Sequence, residues 1–219
     1  MSGIKYSLRQ ESTSFSIGTT NLRSSNGSLI DTNGCVALLV LSGFAVATIN
    51  FEKRILRKGD FVLLFYDSTF SMLSISAAFS VRYVSFAYHL IEEAIYKPLS
   101  INFWNTIYSN PVFRPNERDF KLLVEWWYQM EWVNNIKDYD YQEEILKNNI
   151  RNLLVATDIE IMDHAGDSLR NSRGHAWMLV NRFFRLLSSY CRETREVQFY
   201  ADKLSITSTY LYKLCLLYT

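Results

Sequence analysis

The chain is poor in the residues that build metal and disulfide sites. It has three cysteines and three histidines in 219 residues. Cys35, Cys191 and Cys215 are odd in number and far apart, with no CxxC pair among them. That spacing excludes a zinc ribbon and a disulfide framework, and fits free thiols in a reducing compartment. No histidine precedes His89, so the first half holds no His-x-His metal pair. GxSxG, Walker and GxGxxG motifs are all missing, and no cofactor is expected. The longest apolar run, VALLVL at 36–41, is far too short to span a bilayer. The polar start SGIKYSLRQESTSFS has none of the apolar character of a secretory signal, so the expected location is cytoplasmic, with no membrane partner.

What is present is a globular composition, 48% hydrophobic and 21% charged, with fourteen Phe, fourteen Tyr and five Trp to fill a core. The net charge of +1 conceals a segregation. Residues 88–169 carry seven Lys/Arg and fourteen Asp/Glu, whereas residues 170–219 carry eight and three. A basic end on a near-neutral chain suits a local nucleic-acid face, although a solvated basic helix has the same composition.

Residues 1–34, rich in Ser, Thr, Asn and Gly, read as an irregular first strand or a poorly ordered arm. From Cys35 to Ala87 the texture is β. CVALLVL, FAVATINF, ILRK, FVLLFY (61–66), FSMLSIS (70–76) and FSVRYVSFA (79–87) are short strands, and Gly59-Asp60 marks a turn. Such spacing predicts an antiparallel sandwich or barrel. Helical periodicity then takes over in HLIEEAIY (89–96) and INFWNTIY (101–108), which stop before Pro98 and Pro111. Two longer helices follow, about 117–137 with Phe120, Leu123, Trp127, Met130 and Trp132 inward, and about 141–162. The Asp138-Tyr139-Asp140 corner joins them as a helical hairpin, the natural dimer contact. Residues 163–176 read as a linker, and an amphipathic helix follows over 177–193.

The last twenty-five residues hold the most specific pattern. Val197, Ala201, Leu204, Ile206 and Leu211 are spaced for two short helices crossing at a tight turn. Ala201 is small where the second helix approaches, and Thr207 suits its N-cap. Tyr210, Leu211 and Leu214 are expected inward; Thr209, Tyr212, Lys213 and Leu216 outward. The whole predicts a helix-turn-helix with 208–218 as recognition helix.

EVQFYADKLSITSTYLYKLC resembles the first helix-turn-helix of AraC-type transcriptional regulators, especially the form common in Bacteroidetes. Phe183-Phe184-Arg185-Leu186-Leu187 and Tyr190-Cys191-Arg192-Glu193 match as well, and INFEKRILRKGDFVLL resembles the strand–turn–strand of the family's cupin-like sensor. The resemblance spans 35–219 and is strongest at 180–215. Ser208 stands where the family usually has Pro, a mild change at the first helical position. The family pattern continues into a second helix-turn-helix, so this chain is expected to carry only the first half of that domain.

The resemblance implies an α+β protein. An N-terminal arm (1–34) and a cupin-like antiparallel β-barrel (35–98) would precede a helical dimerisation segment (99–165) and a partial DNA-binding domain (177–219). It implies DNA contacts from Thr209, Tyr212 and Lys213, with Ser208, Arg195 and Lys203 beside them, and Arg192 near the backbone. An effector would lie inside the barrel among Phe44, Phe61, Phe65, Phe79 and Tyr83. DNA binding is expected to be weak, since one helix-turn-helix offers few phosphate contacts.

The alternative is a dimeric effector-binding module without DNA function, and a cupin enzyme is a third class that the missing histidines disfavour. Adjacent Glu92-Glu93 and Glu143-Glu144 point about 100° apart on a helix, and read as solvated faces rather than acid/base pairs. The cluster Trp126, Trp127, Tyr128 and Trp132 reads as core or subunit interface before it reads as a ligand platform.

Overall fold

The computed structural model describes residues 6–25, 27–66, 68–169, 179, 183, 186, 187 and 190–218. The chain divides into two compact units, Met1–Tyr96 with Asn105–Leu153 and Lys97–Trp104 with Leu154–Thr219.

The first unit is built on two antiparallel sheets. Its strands are β1 (Phe15–Thr20), β2 (Cys35–Ser42), β3 (Phe44–Ile49), β4 (Glu52–Arg57), β5 (Phe61–Phe65), β6 (Phe70–Ile75), β7 (Ser80–Phe86) and β8 (Val112–Phe113). One sheet runs β1-β7-β2-β5-β8, the other β4-β3-β6. The expected barrel is therefore corrected: the sheets are open and stacked, not closed into one ring. Their facing sides share a core of Val36, Leu38, Val40, Ala45, Ala47, Ile49, Leu56, Val62, Leu64, Phe70 and Met72.

The opposite side of the five-stranded sheet is also covered. Trp127 of α3 (Glu117–Asn134) meets Phe61 edge-on at 6.2 Å, and Trp126 meets Phe86 at 6.4 Å. Burial on both faces explains why β2 and β5 are continuously apolar rather than alternating.

Several boundaries differ from the sequence reading. β3 ends at Ile49, because Asn50 and Phe51 both take positive φ (49° and 65°) and turn the chain into β4. This is the backbone of a two-residue hairpin turn without its usual glycine, which is why the sequence did not announce it. β4 consequently begins at Glu52, three residues ahead of the expected strand ILRK. The polar N-terminal stretch supplies β1, registered on β7 from Phe15↔Phe86 to Thr20↔Val81. Gly18 permits this pairing, since a Cβ there would lie 3.1 Å from the Tyr83 ring. Gly43 is required between β2 and β3: its φ is 67°, and a Cβ would stand 2.5 Å from the Phe79 amide nitrogen.

Helices α1 (Tyr88–Ala94), α2 (Ile101–Ser109), α3 and α4 (Tyr139–Leu169) follow. Asn116 caps α3 by accepting the Asp119 N–H at 3.0 Å. In α3 the buried residues are Trp127, Met130 and Val133, whereas Trp132, expected inward, is 58% exposed. Positions 130 and 133 continue the stripe of 127 at three-residue steps, and 132 falls beyond its edge. Helix α4 continues to Leu169, through the first half of the stretch read as a linker; residues 170–176 lie outside the described set.

Candidate nucleic-acid interface

The second unit ends in α5 (Val197–Leu204) and α6 (Ser208–Tyr218). Their core is Leu179, Tyr200, Ala201, Leu204, Leu211 and Leu214, with Phe183, Leu187, Tyr190 and Ile206 packed against it. Ala201 has no exposed surface and lies where the two helices meet. The turn is made by Ser205, at φ 57° and ψ 42°, while the Ile206 N–H reaches back to the Ala201 carbonyl at 3.0 Å. That closure satisfies a carbonyl which the helix end would otherwise orphan. Thr207 caps α6, its Oγ1 accepting the Tyr210 N–H at 3.2 Å.

Burial sorts the expected contact residues. Thr209, Tyr212, Lys213 and Leu216 are exposed on α6, and Arg192 and Arg195 are exposed before α5. Ser208 is half-buried and turned toward α5, its hydroxyl donating to Gln198 Oε1 at 2.5 Å. Lys203 is exposed but anchored, with Nζ 4.9 Å from the Tyr190 ring centre and 5.1 Å from that of Phe199.

Two inward expectations are corrected. Tyr210 is 42% exposed and Val197 53% exposed. Tyr210 sits one residue before Leu211, so a helical step of 100° carries it to the rim of the outward sector. Val197 opens α5, and the core position it was expected to fill belongs to Tyr200, whose hydroxyl donates to the Thr194 carbonyl at 2.8 Å. The outward face of α6 thus reads Thr209, Tyr210, Tyr212, Lys213 and Leu216, with one cation and no carboxylate. Its donors and acceptors are suited to phosphate oxygens and base edges. Tyr210 is the member that sequence reasoning missed.

The five aromatic residues expected to surround an effector do not converge. Val62 and Leu64 of β5 face the space between the sheets, so strand alternation directs Phe61 and Phe65 to the helix-covered side. Phe61 accordingly stacks with Phe113 and Trp127. Phe44 is 55% exposed on the outside of the three-stranded sheet. Only Phe79 and Tyr83 belong to the core between the sheets. Beside them, the Ser16 and Tyr83 hydroxyls are 3.5 Å apart.

Among the described residues no three His, Cys, Asp or Glu side chains form a metal-binding group. No helix among them is long and apolar enough to cross a membrane.

No family model matches the sequence, and no curated protein does. Solved structures give loose likenesses. A ToxT variant from Vibrio cholerae, without ligand, aligns with 94% of this chain and 94% of its own, at 13% identity and a TM-score of 0.45. Wild-type ToxT from the same organism, bound to an unsaturated fatty acid, aligns with 94% of this chain and 74% of its own, at 13% identity and a TM-score of 0.39. The AraC-like transcriptional activator CuxR aligns with 91% and 66%, at 15% identity and a TM-score of 0.36.

Proposed function

We propose that the chain is a DNA-binding transcriptional regulator of AraC type, acting without enzymatic chemistry. α6 enters the major groove and presents Thr209, Tyr212 and Lys213 to the DNA. The observation that carries this reading is the capped, tightly turned α5–α6 pair. Its buried side packs Tyr200, Ala201, Leu204, Leu211 and Leu214 into one core, and its outward face holds a lysine, two tyrosines and a threonine with no carboxylate. Lys213 serves a phosphate or the acceptor edge of guanine, and Arg192, Arg195 and Lys203 serve the backbone. The first unit dimerises the regulator through exposed apolar side chains of α3, Leu122 and Trp132 being 60% and 58% exposed.

The test is fluorescence anisotropy of the full chain against a labelled duplex library at rising salt. Weak, salt-dependent binding is expected, and Lys213→Ala should lower the salt slope by about one. Sedimentation of a stable dimer that retains no duplex at low salt would refute the DNA reading and leave a dimeric binding module.

A further inference from the structure

The three-stranded sheet buries one side in the core and leaves the other uncovered by any described element. Strand parity places Phe44 and Val46 of β3 and Ile55 of β4 on that outer side, and Leu73, which the register of β6 skips at a bulge between Met72 and Ser74, is exposed. Phe44, Ile55 and Leu73 are 55%, 46% and 53% exposed. Phe44 and Ile55 line a shallow groove of about 540 Å³ with Val46, Arg57 and Lys58.

The charges of this face have one sign. Lys53 and Arg57 share it with Ile55, Lys58 follows in the turn, and all three are exposed. None of these three cations has a carboxylate partner among the described residues on the same face. Glu52 lies on the opposite parity and pairs with Arg54, and buried Asp60 is taken by the Arg57 N–H and by Arg114. Lysine and arginine on an edge strand also protect against strand addition. That role explains the cations of β4, but not an adjoining surface of Phe, Ile and Leu.

The same hairpin carries a strained aromatic. Phe51 sits at φ 65° and is 87% exposed. Asn50 beside it is fixed, its side chain accepting the Thr69 N–H at 3.0 Å and donating to the Tyr108 carbonyl at 2.9 Å. A bulky residue in the left-handed region with almost no burial gains nothing for the fold from its side chain.

We propose that this face docks an acidic amphipathic segment of another protein. Its apolar side chains seat on Phe44, Val46, Ile55 and Leu73, and its carboxylates meet Lys53, Arg57 and Lys58. Charge decides against a second copy, because two-fold packing of this face on itself sets these cations against each other. The inference is independent of DNA binding by α6.

The test uses the full chain and a fluorescein-labelled peptide of alternating Glu and Leu. A peptide with Lys in place of Glu and phosphatidylserine vesicles serve as comparisons. Saturable binding of the acidic peptide is expected, with amide shift changes confined to β3, β4 and β6. The double variant Lys53→Glu with Arg57→Glu should weaken it about ten-fold or more. Leu73→Ser should weaken it at unchanged thermal midpoint, and shift mapping on the unaltered chain does not depend on either variant folding. The proposal is overturned by equal binding of the Lys peptide, by vesicle binding without peptide binding, by shifts elsewhere, or by a self-association that Leu73→Ser abolishes.

Discussion

Thr207 separates the folding of the α5–α6 pair from the DNA binding proposed for it. Its hydroxyl accepts the Tyr210 N–H, and the first turn of α6 contains no acidic residue to share that duty. Thr207→Ala therefore leaves an N-terminal N–H without a protein partner, at a cost of about 1 kcal/mol, or about five-fold in the opening equilibrium of the first turn. Affinity follows a different arithmetic. If the capped turn is favoured by about 1 kcal/mol, it is formed some 85% of the time, and without the cap about half of the time, so the apparent affinity falls less than two-fold. Lys213→Ala gives the opposite signature, since Lys213 is exposed and makes no ion pair among the described residues: affinity falls while stability holds. Amide exchange of residues 208–211 measures the first quantity, and duplex anisotropy the second. Thr207→Ser restores the acceptor and should restore protection. The reasoning is refuted if Ala and Ser variants exchange alike, or if Thr207→Ala costs as much affinity as Lys213→Ala.

Two further outcomes follow from the titratable groups. Cys35 is fully buried and burial pushes its thiol far up, Cys215 is partly buried and also raised, and Cys191 is exposed. A thiol reagent should label Cys191 first and Cys35 only on unfolding, as mass spectrometry of the labelled peptides would show; early Cys35 labelling would contradict the burial of β2. Lys147 of α4 holds Glu93 of α1 at 2.9 Å, and its hydrogen bond and charge pull the Glu93 carboxyl below its ordinary value while Lys147 itself is raised. The pair's contribution is present above the ordinary carboxylate range, fades as pH falls through the depressed Glu93 value, and fades again as Lys147 deprotonates in strong base. Urea midpoints of Lys147→Met and the unaltered chain should thus differ slightly at neutral pH and converge in acid, the difference being small because Glu93 is exposed and Lys147 only partly buried.

What the sequence revealed depended on how local the determining interactions are. The α5–α6 unit is written in a short window. Small Ala201, capping Thr207 and the spacing of Leu204, Leu211 and Leu214 each act within a dozen residues, and each is where it was expected. The sheet assignment needed information the window lacks. Whether β-strands close a ring or stack as two sheets depends on which edges hydrogen-bond. β1 is inconspicuous in the sequence because its partners on β7 are far along the chain, from Phe15↔Phe86 to Thr20↔Val81, and Gly18 contributes space rather than a signal. The aromatic cluster failed on parity alone: β5 is apolar on both faces, so nothing in FVLLF tells which side holds Phe61 and Phe65. In α3 the inward position is Val133 and not its neighbour Trp132, one helical step of about 100° away.

The two proposed surfaces lie in different units and are both cationic and aromatic, so a salt-dependent association by itself does not say which one is at work. Chemistry separates them. The sheet face sets three cations around a broad aliphatic floor, and an acidic peptide can fill that floor while a phosphate backbone has no apolar groups to place there. The α6 face offers Thr209, Tyr212 and Lys213 on one exposed side of a helix, a shape that enters a groove rather than receives a chain. Exchange of effects is therefore the decisive comparison. Lys213→Ala should lose duplex and keep peptide, and Lys53→Glu with Arg57→Glu should lose peptide and keep duplex. A chain in which both changes weakened duplex alone would have its DNA surface spread over the sheet, and the docking face would be only its extension.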